Sequence, residues 1–430
     1  MEHANKLRSF RVRLYSTLVL VASFAAIIYA GHVPLMTLIF SIQTVMVKEL
    51  FQLAREAQQE HKLPGFRAQQ WYFYLVAAFW VYVRFIKNNL IVEITSSAAL
   101  ARLLGTLIRR HTLISYSLYA AGFVAFVLTL KRGSYTYQFG QFAWTHMILM
   151  TVFLPSSFFV SNIFEGIIWF LLPCALVIVN DIAAYLAGFF FGRTPLIKLS
   201  PKKTWEGFIG GFFGTVLASW YLSRWMAQSP WLTCPRADLS IWQPMECTEP
   251  PETFQLRDFG AIDIVGIFAE PKFIQRLEYI EALLPESLQG RLDAFSVHAS
   301  PMQFHAVALA VFASAIAPFG GFFASGFKRG FNIKDFGSSI PGHGGMTDRM
   351  DCQIVMALFS YIYYHAFTDR SIVTVGSVVS MVLKLRPIDQ LDLLLRVANV
   401  LEASGLLPIE VVDSIAAVKS SRLESPPLGR

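Results

Sequence analysis

Stretches without a single Asp, Glu, Lys or Arg dominate this chain, running from Leu14 to Val47, Ala68 to Val83, His111 to Leu130, Gly133 to Phe164, Gly166 to Asn180, Gly207 to Ser223, Ala294 to Phe327 and Cys352 to Thr368. A helix that crosses a bilayer needs about 20 mostly apolar residues. The first stretch is long enough for two such helices, turning at Gly31, His32 and Pro34. The pattern predicts an all-α polytopic integral membrane protein with about nine spans, or about ten.

Two flanking segments are amphipathic. Lys48 to Glu60 is charged but keeps Leu50, Leu53, Ala54 and Ala57 on one face, as expected of a helix that extends the second span along the cytosolic surface. Near the C-terminus, Ile388, Leu391, Leu394, Leu395, Ala398 and Leu401 follow helical spacing opposite Asp389, Asp392, Arg396 and Glu402, which predicts an interfacial helix. Ser420 to Arg430, with Pro426 and Pro427, is expected to be disordered.

Composition fits a membrane medium. Apolar residues make up 54% and charged residues 15% of 430 residues, with a mean hydropathy of +0.48. That leaves too little polar surface for a soluble globule of this size. A net charge of +7 and a pI near 9.2 would suit nucleic acid, but the basic residues flank apolar stretches and build no independent soluble face. Anionic lipid headgroups and phosphates are the expected partners, and no nucleic acid.

Charge also orients the chain. Lys6, Arg8, Arg11 and Arg13 precede an apolar run too long for a signal peptide and lacking a small-residue cleavage site, so an uncleaved anchor with a cytosolic N-terminus is expected. Arg224 to Asp293 carries eleven acidic residues against six basic, whereas Arg193 to Lys203 has four basic and none acidic. The positive-inside rule then sets 193–207 in the cytosol and 224–300 in the lumen. Arg102, Arg109 and Arg110 fall on the wrong side of this count, which suggests an extra or re-entrant helix within 87–112.

The four cysteines lack zinc spacing. Cys234 and Cys247 share the acidic loop, where they are either paired or two thiols. Cys174 reads as packing, and Cys352 has no paired base to make it a nucleophile.

Two polar constellations interrupt the apolar pattern. In Ser325 to Asp351, SGFKRGFNIKDFGSSIPGHGGMTDRMD, Lys328, Arg329, Lys334 and Arg349 match phosphate charge, with His343 as a conditional cation. Asp335, Asp348 and Asp351 match metal, and Gly342, Gly344 and Gly345 permit a tight turn whose N–H groups face an anion. An orienting basic loop would explain the cations but not PGHGG or DRMD. The second constellation, Asn180 to Gly211, begins with Asp181 inside an apolar helix, where a carboxylate faces a cavity, an ion or a partner helix. Arg193, Lys198, Lys202 and Lys203 follow as a basic stretch, for phosphate or for membrane anchoring, and Ser200-Pro201 reads as a turn or helix start before Trp205-Glu206-Gly207. Gly207, Gly210, Gly211 and Gly214 have the spacing of close helix packing in lipid.

Together these segments resemble the CDP-diacylglycerol synthase family, the phosphatidate cytidylyltransferases. Its signature is met by Ser325, Lys328, Arg329, Lys334, Asp335, Gly342, His343, Gly344, Gly345, Asp348, Arg349 and Asp351. NDIAAYLAGFFFGRTPLIKLSPKKTWEGFIGG, AGHVPL at Ala30 to Leu35 and FEGIIWF at Phe164 to Phe170 resemble the eukaryotic branch. The resemblance implies a multi-pass endoplasmic-reticulum enzyme, cytosol-facing, that joins CTP and phosphatidic acid into CDP-diacylglycerol for phosphatidylinositol, phosphatidylglycerol and cardiolipin synthesis. It implies release of pyrophosphate and a need for Mg²⁺, with a second cation open, and leaves a homo-oligomer open. Bacterial relatives have Gly-Asp, with a metal-ligand Asp, where this chain has Gly320-Gly321, so the metal set needs another member such as Asp181.

The expected site therefore has Lys328, Arg329, Lys334, Asp335, His343 and Arg349 in catalysis, Lys202, Lys203, Ser325, Gly342, Gly344 and Gly345 on substrate, and Asp348, Asp351 and Asp181 on metal. Asp348 and Asp351 stand at i and i+3, on one helical face. His343 serves either phosphate or the turn itself, and Asp335 is either a ligand or an orienter of Lys334. The expected division is a basic tail at 1–13, transmembrane helices at 14–192, a catalytic membrane region at 193–385 with lumenal loop 226–300 and signature 325–351, and an amphipathic segment at 386–430. A CTP-dependent polyprenol kinase and a transporter are the rival readings. The second lacks a clear inverted repeat.

Overall fold

The computed structural model describes residues 2–57, 66–89, 98–234, 241, 252–269, 271–285, 295–340, 344–368, 375–383, 385–403 and 407–424. Contacts divide the chain into two units, Met1–Phe85 with Thr106–Arg370, and Ile86–Gly105 with Ser371–Arg430.

The expected first hairpin is present. Helix α1 (Glu2–Ala30) ends at Gly31, whose φ of 104° suits a residue without Cβ, and α2 (His32–Ala57) follows at once. Next come α3 (Phe66–Asn89) and α4 (Ala98–Leu128). Arg102, Arg109 and Arg110 all lie in α4, a single helix to Leu128, so the part of 87–112 that is described forms no separate re-entrant helix. Helix α5 (Tyr135–Phe164) contains a π-helical turn at Leu149–Phe153, just before Pro155, which has no N–H to donate.

Helix α6 (Ile167–Phe191) leads into strands β1 (Pro195–Ile197) and β2 (Ser200–Thr204), an antiparallel hairpin with Pro195 opposite Thr204 and Ile197 opposite Ser200. This corrects the reading of Ser200-Pro201 as a turn or helix start. Helix α7 (Trp205–Ala227) follows, N-capped by the Thr204 hydroxyl, which accepts from the Gly207 N–H at 3.2 Å. A second small antiparallel pair joins β3 (Arg257–Phe259) to β4 (Val297–Ala299). The expectation of an all-α chain thus holds for its bulk, with two short hairpins added. Helices α8 (Pro301–Ala315) and α9 (Pro318–Gly330) form one broken rod, interrupted at Ile316 and Ala317, and α10 (Thr347–Tyr363) closes the larger unit.

Among the described residues five helices are long and apolar enough to cross a membrane: His32–Glu56, Leu104–Leu128, Tyr135–Phe164, Ile167–Phe191 and Pro301–Gly330. The chain is therefore a multi-pass membrane protein by length and composition.

Helices α6, α7, α8 and α10 share one core, in which Leu172, Leu176, Met302, Leu309 and Met356 are fully buried. Small residues set the α6–α7 spacing as their sequence pattern predicts. A Cβ on Gly210 would meet Ala187 Cβ at 2.3 Å, one on Gly211 would meet Asn180 Oδ1 at 2.8 Å, and one on Gly214 would meet Ala183 Cβ at 2.9 Å. Buried polar groups stitch the other helices: Asn162 Nδ2 donates to Ala357 O at 3.2 Å, Gln353 Nε2 donates to Cys174 O at 3.1 Å, and His305 Nδ1 meets Tyr363 OH at 2.9 Å.

Cys234 is buried and disulfide-bonded, whereas Cys174 and Cys352 are free thiols. Cys247 lies outside the described residues, as does most of 235–251.

In the smaller unit α11 (Pro387–Ala403) packs against α12 (Ile409–Glu424), with Ala398 and Val412 buried. Asp392 accepts from Arg396 Nε at 2.9 Å and is also paired with Lys419. Part of the apolar stripe read as interfacial is thus covered by α12, although Leu394 stays half exposed. Ser420 to Glu424 are helical, which corrects the expectation of disorder there; 425–430 lie outside the described residues.

Candidate active site

The two polar constellations, far apart in sequence, meet. A cleft of about 430 Å³ is lined by Leu199 and Ser200 from the β1–β2 hairpin and by Ser325, Lys328, Arg329, Asn332, Ile333 and Lys334 from the end of α9 and its loop. The hairpin tip rests on α9 at a glycine: a Cβ on Gly326 would lie 3.5 Å from Leu199 Cδ1, ordinary contact with no room to spare. Asn332 has a φ of 53°, the left-handed conformation that stops α9 and turns the chain toward Lys334. Beneath the cations lies an aromatic floor, with Trp144 edge-on to Phe327 and Phe331 at 5.5 Å each, and Lys328 Nζ 5.5 Å from the Phe336 ring centre.

The hairpin is closed at its base by Glu206, a residue the sequence reading left without a role. Its carboxylate accepts from the Thr194 hydroxyl and from the N–H groups of Arg193 at 3.1 Å and Thr194 at 3.2 Å. Those bonds, the Thr194 hydroxyl first, hold the Glu206 carboxyl down at about 2, well below the ordinary 4.5.

On the α10 side Asp348 is almost fully occupied. Its Oδ1 accepts from Lys328 Nζ at 2.6 Å, and its Oδ2 accepts from Phe336 N at 2.9 Å and Gly345 N at 3.3 Å. Asp348 therefore joins α9, the loop and the turn into one piece. The glycine N–H expected to face a substrate anion instead faces this carboxylate at Gly345. Gly344 has a φ of 86°, its carbonyl accepts from Ile340 N at 3.0 Å, and Asp335 packs beside it, with Cγ 3.5 Å from where a Gly344 Cβ would be. Gly342 and His343 lie outside the described residues.

Asp351 points elsewhere. Its Oδ1 accepts from Cys352 N at 2.7 Å, and its Oδ2 lies 3.6 Å from a Cβ built on Gly321, so the side chain looks at the glycine pair of α9. Asp181 and Asp351 are within electrostatic reach of each other; Lys203 and Arg349 reach Asp181, and Lys328 reaches Asp351. Asp181 is on the exposed side of α6, whereas its neighbour Asn180 turns into the α6–α7 contact and accepts from the Thr215 hydroxyl at 3.4 Å. The helix-to-helix role that the sequence offered for Asp181 is thus filled by Asn180. Lys202 and Lys203 are exposed on β2.

A metal would find two carboxylates here. Among the described residues no group of three or more His, Cys, Asp or Glu side chains gathers around one point. Mg²⁺ is commonly held by one or two carboxylates with the remaining positions left to water and substrate phosphate, so Asp181 and Asp351 fit it.

One further carboxylate, Glu49 on α2, reaches the same loop from the far end of the chain. It accepts from Ser339 Oγ at 2.6 Å, Met346 N at 2.9 Å, Thr347 N at 2.9 Å and Thr347 Oγ1 at 2.8 Å. Its one sequence signal was an acid beside Leu50 and Phe51, on what proves to be a buried face.

Helices long and apolar enough to cross a membrane, a cation-lined cleft at the end of one of them and two carboxylates within electrostatic reach of each other define a membrane-embedded protein with a polar site. The chain belongs to the cytidylyltransferase family, whose sequence profile matches residues 11–367. It is 48% identical over 380 residues to phosphatidate cytidylyltransferase 1 of Arabidopsis thaliana, covering 88% of this chain and 84% of that protein. It is 40% identical over 407 residues to phosphatidate cytidylyltransferase 1 of Rattus norvegicus, covering 94% and 82%, and 39% identical over 400 residues to the phosphatidate cytidylyltransferase of Caenorhabditis elegans, covering 93% and 80%.

Proposed function

We propose that this chain transfers the cytidylyl group of CTP to phosphatidic acid, giving CDP-diacylglycerol and pyrophosphate, at the cytosolic face of the endoplasmic-reticulum membrane. The observation that carries this reading is the cleft in which Lys328, Arg329 and Lys334 converge with Ser200 and Ser325, close to charges that reach Asp181 and Asp351. The names of the relatives above supply the substrates.

A phosphate oxygen of phosphatidate attacks the α-phosphorus of CTP. The new bond is oxygen to α-phosphorus; the bond from α-phosphorus to the bridging oxygen breaks, and its electron pair leaves with pyrophosphate. A phosphomonoester has a second pKa of about 6, so the nucleophile is already anionic near neutral pH and needs no general base. What the reaction needs is relief of anion repulsion and in-line alignment. Arg329 and Arg349 offer two-point contacts to phosphate, and Lys203 and Lys334 offer point charges. Lys328 is steered by Asp348 toward the cleft. Mg²⁺ held by Asp181, Asp351 and phosphate oxygens would neutralise charge on the triphosphate.

In the same proposal the chain crosses the membrane about nine times, and 193–207 and 325–351 lie in the cytosol, a reading supported by the cleft they share. The acidic loop 226–300 lies in the lumen, an oxidising compartment in which the bonded Cys234 is at home. The catalytic region is 193–385, between the helices of 14–192 and the C-terminal segment 386–430.

The test is purified protein in lipid nanodiscs with CTP, phosphatidate and Mg²⁺, followed by mass analysis of the lipid and assay of pyrophosphate. Equimolar CDP-diacylglycerol and pyrophosphate are expected. A phosphorylated lipid alcohol with CDP, or transport without turnover, would contradict the proposal.

A further inference from the structure

Glu49 is 6% exposed, yet it lies on α2, beside the buried Leu50 and Phe51 and remote in sequence from the signature it touches. A buried carboxylate is costly unless it is fully hydrogen-bonded. Glu49 has four donors, and all four come from one short segment, Ser339 to Thr347. Keeping this charge inside the protein is thereby tied to the positions of Ser339, Met346 and Thr347.

Three features fix what the contact does. Helix α10 begins without a side-chain cap of its own, since Met346 makes no such bond. Glu49 supplies the acceptors for the N–H groups of Met346 and Thr347, the donors left over at a helix start, and adds negative charge where the helix dipole favours it. Second, the carboxylate fills the centre of the turn. A Cβ on Gly337 would lie 2.6 Å from Glu49 Oε1, so glycine is needed there because Glu49 is there; one on Gly345 would meet Gly337 N at 2.8 Å and Asp348 Oδ2 at 2.9 Å before Glu49 Oε1 at 3.1 Å, so that glycine answers to all three. Third, Glu49 and Asp348 divide the turn between them. Asp348 holds Phe336 and Gly345, and Glu49 holds Ser339, Met346 and Thr347.

We propose that Glu49 is a positioning residue for the transfer reaction, setting from α2 the turn that presents Asp348 and Arg349 and, through Asp348, aims Lys328. This rests on the function proposed above. Glu49 is not among the residues lining the cleft, so it acts through the turn and leaves substrate binding to others.

The test uses full-length protein in nanodiscs carrying Glu49→Gln, which keeps size but loses charge and one acceptor. Expected are a fall in kcat of roughly tenfold or more with KM for CTP changed by less than about threefold, and faster amide exchange at Gly345 to Thr347 while α6 and α8 keep their protection. Faster exchange in the turn with wild-type kcat would overturn the positioning role. Unchanged exchange would overturn the contact itself, and equal loss of protection in α6 and α8 would make Glu49 a general folding residue. Should Glu49→Gln fail to fold, Thr347→Val removes one donor only: kcat should fall by about threefold at constant KM, and wild-type kcat would again overturn the inference. A wild-type chain that makes no CDP-diacylglycerol would remove the proposed reaction as well, whereas active wild type with fully active Glu49→Gln removes this inference alone.

Discussion

A Cβ built on Gly320 falls 2.6 Å from the carbonyl oxygen of Asp351, so α9 and α10 touch with no room for a side chain at the point where the acidic motif ends. Neither atom can move without shifting a helix. Gly320→Ala is expected to destabilise the protein by about 1–3 kcal/mol, the usual cost of overpacking, and to reduce turnover because Asp351 moves with its backbone. Thermal unfolding in detergent, read beside activity, checks this; an unchanged Tm with full activity would show that the helices are not in contact.

Asp348 and Asp351 should part company when each is changed to Asn. Asp348 is held by Lys328 and two backbone N–H groups, so Asp348→Asn should cost about 1.5–3 kcal/mol of stability as well as activity. Asp351→Asn should abolish Mg²⁺-dependent turnover with little change in Tm. Equal destabilisation by both would remove the distinction between organiser and metal ligand.

The same logic separates the neighbours on α6. Asp181→Asn should lose Mg²⁺-dependent activity and keep its detergent stability, since Asp181 is exposed and faces the charges of Lys203 and Arg349. Asn180→Leu should do the reverse in part, lowering Tm, because Asn180 is wedged against Gly211 and accepts from Thr215. Unchanged kinetics in Asp181→Asn would exclude it from the site.

Glu206 gives the hairpin a pH dependence of known sign. Its carboxyl is held down at about 2 against an ordinary 4.5, so hairpin closure is fully supported above 4.5, weakens as pH falls and is lost below about 2. Fluorescence of the adjacent Trp205 should therefore change with a midpoint near 2. Glu206→Gln should abolish that transition, and a midpoint near 4.5 would mean that the bonds to Thr194 and Arg193 are not made.

Much of this was legible from residue pattern. The turn at Gly31 and the glycine spacing of α7 each follow from a local rule and are where the rule puts them, and of the cations in 325–351 Lys328, Arg329 and Lys334 line one cleft. The β1–β2 hairpin was hidden because its strands are short and carry Pro and Lys in place of an alternating apolar face. Glu49 was hidden for a different reason: its partners are nearly three hundred residues downstream (|i−j| of 290 to 298), and no local spacing encodes so distant a cap. Asp348 and Asp351 look alike in sequence because i, i+3 spacing shares a helix face; at the first turn of α10, however, Asp348 accepts from Lys328 and from the N–H groups of Phe336 and Gly345 in other segments, whereas Asp351 accepts from the N–H of its own neighbour Cys352.

The most direct measurement follows the phosphorus atoms of CTP. With phosphatidate, Mg²⁺ and the purified chain, a radiolabel at the α-phosphorus should move entirely into the chloroform-soluble lipid while a label at the γ-phosphorus should appear entirely in pyrophosphate, and Arg329→Ala with Lys334→Ala should suppress both in step. A γ-label in lipid with the α-label left in CDP would contradict cytidylyl transfer and with it the account given for this site.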